Sequence, residues 1–179
     1  MPIISRQPKR IYANQGHRVL KGSQFSDWMI DLKDKLQPYC GCFDTIVCRG
    51  KSGMLAAGYL AASLTKNIVI IRKSTANSHA TGLVEYWEYP NSYIIVDDFI
   101  SSGATMMNIT RKMKKLFPGT ELVAIALYDD YDRDVESDFV LSKNKKVQKL
   151  WDTVTVFTPS LVHNAELLHL KNKSNSVKH

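Results

Sequence analysis

Cysteine is scarce in this chain, and long apolar runs are absent. The three cysteines, Cys40, Cys42 and Cys48, are odd in number and lack C-x-x-C spacing. That excludes a disulfide scaffold, argues against a zinc site, and fits reduced thiols in an intracellular protein. The longest nearly apolar stretch, GMLAAGYLAASL at 53–64, is too short to span a bilayer. The opening MPIISRQPKR holds no apolar core of the length a signal peptide needs. A cytoplasmic protein with no membrane partner is the expectation. No internal repeat or low-complexity tract stands out. Acidic residues are in deficit: 17 Asp and Glu face 24 Lys and Arg, for a formal charge of +7. That balance suits an anionic partner, a phosphorylated metabolite or a nucleic acid, without choosing between them. The chain has 179 residues, 44% of them hydrophobic, enough for one domain with a real core and short for two. Residues 1–170 are therefore read as a single domain and 171–179 as a basic, polar tail.

The periodicity alternates between helix and strand. SQFSDWMIDLKDKLQPY (23–39) spaces Phe25, Trp28, Met29, Leu32 and Leu36 as a helix face, with Pro38 at its end. FDTIVCR (43–49) reads as a strand, GMLAAGYLAASL as a helix and NIVIIRK (67–73) as a strand, the pattern of a parallel crossover. GLVEYWEYPNSYIIVDD predicts a hairpin turning at Pro90-Asn91. ATMMNITRKMKKLF predicts a helix stopped by Pro118-Gly119, and ELVAIALYDD another strand. TVTVFTP (153–159) and SLVHNAELLHL are read as a last strand and a last helix. The expected fold class is α/β, with a central, mainly parallel sheet flanked by helices.

The greasiest strand ends on two aspartates, in YIIVDDFISSGAT (93–105). Ligands of open α/β sheets bind beyond the carboxyl ends of the strands, where Asp97 and Asp98 fall. Ser101, Ser102, Gly103, Ala104 and Thr105 follow, small residues whose backbone N–H groups and hydroxyls lead into a helix and can cradle a phosphate. Bare carboxylates beside a phosphate would repel it, so sugar hydroxyls or a Mg²⁺ must lie between them. A ligand carrying both a phosphate and a diol satisfies the pattern. An ordinary strand end with a helix N-cap would use similar residues.

YIIVDDFISSGAT resembles the thirteen-residue signature of the type I phosphoribosyltransferases. The resemblance covers about residues 43–130 and implies that family's fold, with a small variable hood built from the terminal segments. It also implies transfer of a phosphoribosyl group from 5-phosphoribosyl-1-pyrophosphate (PRPP) to a ring nitrogen of a nucleobase, with Mg²⁺ as cofactor. By position, Asp97 and Asp98 would bind the ribose and reach the metal indirectly, through its bound ligand or water, with Asp98 counted as catalytic. Ser101 to Thr105 would hold the 5-phosphate. IVCRGKSGMLAA (46–57) matches the family's pyrophosphate loop, assigning Arg49, Gly50, Lys51 and Ser52 to the diphosphate. A Walker P-loop is excluded, since the position five before Gly50 is Thr45. IIRKSTANSHATGLVEYW (70–87) stands where the family carries a mobile catalytic loop, here expected at 74–82. It looks most like the orotate branch, with Arg72 and Lys73 on pyrophosphate and Lys73 and His79 catalytic. The position nearest the branch's loop lysine is Asn77 or Ser78.

In relatives acting on hypoxanthine or guanine, the position matching Ser101 usually carries an aspartate able to serve as a base toward the purine. Serine there points to orotate or a related base. A homodimer is left open. Trp151 and Phe157 could stack on a base, although aromatics at apolar positions more often belong to a core. The rival reading is a regulator with this fold that senses PRPP or a nucleotide and binds nucleic acid through KNKKVQK (143–149) and the basic tail.

Overall fold

The computed structural model describes residues 22–72, 84–98, 100, 103–129, 145–159, 162–163 and 165–176. Their strands form one seven-stranded sheet in the order β3-β2-β1-β4-β5-β6-β7. The five inner strands, β1 (Thr45–Cys48), β2 (Asn67–Ile71), β4 (Ser92–Asp97), β5 (Glu121–Leu127) and β6 (Thr155–Phe157), are parallel to their inner neighbours. The edges, β3 (Val84–Tyr86) and β7 (Val162–His163), run antiparallel. The α/β class and mainly parallel sheet are as expected.

Helices cover both faces, which is why the inner strands read as continuous aliphatic runs rather than alternating ones. Successive residues of β4 nevertheless serve opposite faces. Ile94 and Val96 join a core with Met29, Leu32 and Leu36 of α1 (Gly22–Leu36) and Ala56, Ala57 and Leu60 of α2 (Gly50–Leu64). Tyr93 and Ile95 join a second core with Met106, Ile109 and Met113 of α3 (Ala104–Leu116). Leu150 and Trp151 of α4 (Lys145–Thr153) pack against that second core, while Leu168 of α5 (Ala165–Ser176) belongs to the first.

Three expectations change. Val84–Tyr86 does not form a hairpin with β4; it pairs with β2 as the sheet edge, and β4 inserts beside β1. Residues around the expected turn are held at the far end of β1, where Asp44 Oδ2 accepts from Asn91 N and Asn91 Nδ2, both at 3.0 Å. Residues 50–52, read as loop, form the first turn of α2, made possible by Gly50 at φ 82°. Finally, α5 continues through Ser176, into the stretch read as a tail. Of the terminal segments assigned to a hood, residues 1–21 lie outside the described residues.

Candidate active site

Strands β1 and β4 lie side by side with Cys48 opposite Val96. The segments that leave them, Arg49–Ser52 and Asp97–Asp98, are therefore neighbours at the carboxyl edge of the sheet. What brings them close is Gly53: a methyl group there would lie 3.0 Å from Val96 O and 3.5 Å from Asp97 Oδ1. The absent side chain lets the first turns of α2 press against the end of β4. A third strand end completes the edge, because β5 runs beside β4 with Leu127 opposite Asp97. Beyond it, Asp129 N donates to Asp98 O at 2.9 Å, and Asp97 Oδ1 accepts from Asp98 N at 3.1 Å.

Two helices start at this edge. Arg49 is extended before α2, and Gly103, at φ 69°, precedes α3; among the described residues neither start has a side-chain cap. Their first-turn N–H groups and dipoles favour anions. Arg49 Nε is buried without a hydrogen-bond partner, and the Tyr128 hydroxyl is buried at the same edge, with the Ser52 side chain within loose hydrogen-bonding reach. A buried donor left without a partner at an anion-favouring edge suits a site that a ligand completes. Burial pushes the Tyr128 phenol well above its ordinary range, and the charges of Asp98 and Asp97 add to the effect. Cys48 is likewise pushed up to about 12, by burial first and Asp97 second, so it stays a thiol and offers no nucleophile.

No family model matches the sequence, and no curated protein sequence does. Solved structures do. The orotate phosphoribosyltransferase of Francisella tularensis superposes at a TM-score of 0.55 with 13% identity, over 88% of this chain and 81% of that one. The adenine phosphoribosyltransferase of Saccharomyces cerevisiae gives 0.56 with 23% identity, over 79% and 82%. The orotate phosphoribosyltransferase of Aeropyrum pernix gives 0.51 with 16% identity; the match covers 65% of this chain and 64% of that one, just under two thirds of its length. The chain has the type I phosphoribosyltransferase fold. At these identities the likeness is one of architecture, and residue roles rest on this chain's own geometry.

Within that phosphoribosyltransferase fold, Arg49, Gly50, Lys51, Ser52, Asp97, Asp98, Gly103, Ala104 and Thr105 all fall at the carboxyl edge or in the helix turns that open from it. Arg72, at the end of β2, forms an ion pair with Glu85 of β3, so its guanidinium is engaged across the sheet edge. Lys73, His79, Ser101, Ser102 and the 74–82 loop lie outside the described residues. Phe157 is fully buried in the first core, and Trp151 packs on the second; both are core residues. Among the described residues no three His, Cys, Asp or Glu side chains converge as a metal site. Two hard carboxylates without a closed cage suit Mg²⁺, which usually keeps waters and takes further oxygens from a phosphate ligand.

Sequence reasoning missed Tyr128 and Asp129, both buried at this edge. The signal was present in the sequence: YDD (128–130) closes an aliphatic run as VDD (96–98) does. Phe25 and Trp28, read as part of the buried face of α1, pack on Tyr128, each ring 5.8 Å from the Tyr128 ring.

Proposed function

We propose that this protein is a Mg²⁺-dependent phosphoribosyltransferase that moves the 5-phosphoribosyl group of PRPP onto a ring nitrogen of a base, orotate or a related pyrimidine. One observation carries the reading: Gly53 lets the basic first turn of α2 pack against the strand end that bears Asp97 and Asp98. That juxtaposition supplies cations and helix N–H groups for a diphosphate within reach of acceptors for a diol.

The bond from the ribose C1 to the diphosphate oxygen breaks, its electron pair leaving on the diphosphate, and the base nitrogen's lone pair forms the new C1–N bond. Positive charge develops at the sugar, as in glycoside hydrolysis. Asp97 and Asp98 accept from the ribose hydroxyls and fix the sugar. Arg49, Lys51 and the first-turn N–H groups of α2 receive the charge that builds on the diphosphate, with Gly50 and Ser52 shaping the turn. Gly103, Ala104 and Thr105, with Ser101 and Ser102 before them, hold the 5-phosphate at the start of α3. Lys73 and His79 are assigned to a loop that closes over the leaving group, with Arg72 released to it from Glu85. Asp97 and Asp98 would hold Mg²⁺ through its bound ligand or water, and the chemistry it supplies when bound is charge neutralisation on the diphosphate.

A serine at 101 has no basic partner in sequence, which favours a base that arrives anionic. The experiment is pyrophosphate release from PRPP and Mg²⁺ with orotate, adenine, guanine and hypoxanthine, alone and in competition at equal concentration. Orotate should be preferred. Preference for guanine or hypoxanthine would overturn the argument from Ser101, and no release with any of these bases would overturn the proposed reaction.

A further inference from the structure

We propose that the outer face of α3, together with α4 and the aromatic bend that follows β3, is a binding surface for single-stranded nucleic acid, separate from the strand-end site. The bend presents its rings to solvent. Tyr86 and Tyr89 are 55% and 53% exposed, and Trp87 between them is 88% exposed. The tyrosines are held: each meets the buried Phe117 ring edge-on, at 4.9 and 5.3 Å, and the Tyr89 hydroxyl donates to Pro118 O at 3.0 Å. An open tryptophan between two clamped tyrosines is a stacking platform that needs little ordering before use.

Beside the platform, α3 carries Arg111, Lys112, Lys114 and Lys115 and no acidic residue from Ala104 to Leu116. None of these four cations has an ion-pair partner among the described residues. A groove of about 540 Å³ between β3 and α3 sets Tyr86 and Phe117 against Arg111, Lys112 and Lys115. A second, of about 640 Å³, on the other side of α3 shares Arg111 and Lys115 and adds Lys114 and, from α4, Lys146. The shared cations join the two grooves into one basic track that ends on the aromatic rings. Of the carboxylates on these elements, Glu85 pairs with Arg72, Glu88 accepts from Asn67 Nδ2 at 2.9 Å, and Asp152 of α4 accepts from Gln148 Nε2 at 2.9 Å. Along the helix axis, Arg111 to Lys115 lie roughly 10 to 17 Å from Ala104, so the track is set back from the strand-end site.

Charge and ring faces together select the occupant. Four unpaired cations call for a polyanion. A second copy of the same face would bring like charges together. Exposed aromatic faces call for flat groups to stack on, and a duplex keeps its bases inside its own stack. A single strand offers both a phosphate chain and open bases.

The test is fluorescence anisotropy of the full chain with labelled oligouridylate and oligothymidylate of about fifteen nucleotides, following intrinsic tryptophan emission alongside. Binding should weaken linearly on a log-log salt plot, with a slope that falls by about 1.4 in the Lys112→Ala/Lys115→Ala double variant, at about 0.7 per cation removed. Trp87→Ala should weaken binding at least about fivefold and abolish the quench of emission, and pyrophosphate release should be unchanged in both variants. Absence of binding at about 50 mM salt would overturn the proposal. So would equal affinity for a duplex of the same length, or an inert Trp87→Ala, since either leaves a basic face with no stacking. Tighter binding to phosphatidylserine vesicles, lost in the same variants, would reassign the surface to a membrane and overturn it too.

Discussion

Gly53→Ala and Gly58→Ala make the same chemical change in the same helix, and the structure gives them opposite signs. Replacing a mid-helix glycine by alanine ordinarily stabilises by about 0.5 to 1 kcal/mol, because the unfolded chain loses freedom. At Gly58 the new methyl meets nothing within 4 Å, so that gain should appear in full. At Gly53 the methyl lies 3.0 Å from Val96 O and 3.5 Å from Cys48 Cβ. Val96 is paired with Cys48 on one side and Ala126 on the other, so its carbonyl has nowhere to retreat and the helix must lift by a few tenths of an ångström. Overpacking of that kind costs about 1 to 3 kcal/mol. Set against the propensity gain, Gly53→Ala should come out destabilised by up to about 2.5 kcal/mol and in no case stabilised as Gly58→Ala is. The same lift carries Arg49–Ser52 away from Asp97, and since a 1 Å misplacement can cost a hundredfold in rate, pyrophosphate release should fall about three- to tenfold. Urea unfolding at equal m-value reads the first effect, and a coupled pyrophosphate assay the second. If both variants were equally stabilised and Gly53→Ala kept its full rate, α2 would not be pressed on the strand end. The adjacency of the basic turn and the carboxylates would then be wrong.

Asp98→Asn should leave unfolding nearly unchanged while lowering turnover at least a hundredfold, about 2.7 kcal/mol or more, as for loss of one preorganised electrostatic group; near-normal rates would sink its assignment to the ribose. Tyr128→Phe removes a buried hydroxyl whose contact in the free protein is at most a loose one with Ser52, so stability should change by no more than about 1 kcal/mol while KM for PRPP increases, and an unchanged KM would show that the hydroxyl meets no ligand. Stability should be flat in pH up to about 9 and then fall. Folded Cys48 keeps its proton to about 12 and Tyr93 to about 12, whereas their unfolded counterparts lose theirs near 9.0 and 10.0. In that window the unfolded state binds fewer protons, which costs about 1.4 kcal/mol per pH unit for each group. Denaturation curves from pH 8 to 11 check this, and Cys48→Ala should remove most of the portion that begins near pH 9, leaving the part that Cys40, also raised by burial, contributes.

The sheet was legible because its inner strands are buried on both faces and so announce themselves as aliphatic runs, while α1 and α3 show their buried stripes at helical spacing. The place of Asp97 and Asp98 at a strand end was legible for the opposite reason: a charge pair directly after such a run marks where the core stops. The hairpin was misread because a turn residue shows where a strand ends, not which strand it joins. Val84–Tyr86 and Ser92–Asp97 are separated by a few residues in sequence and by β2 and β1 in the sheet. That separation has a local cause, since Asp44 binds Asn91 and Glu88 binds Asn67, contacts between residues too far apart in sequence for any spacing rule.

Tyr128 and Asp129 escaped for a related reason. YDD closes an aliphatic run in the sequence as VDD does, but a single strand end gives no hint that the next one lies beside it. Only the parallel register, with Asp97 level with Leu127, turns two similar tripeptides into one acidic edge. The consequence bears on the chemistry. Asp97, Asp98 and Asp129 all act on the Tyr128 phenol, so three carboxylates stand along this edge without closing on one another as a metal cage. An excess of negative charge at the place where a phosphorylated sugar is proposed to sit would repel it. The diol and a hydrated Mg²⁺ are therefore needed between the carboxylates and the phosphates, and the site's affinity for PRPP should depend on Mg²⁺ more steeply than its affinity for ribose 5-phosphate, which lacks the diphosphate.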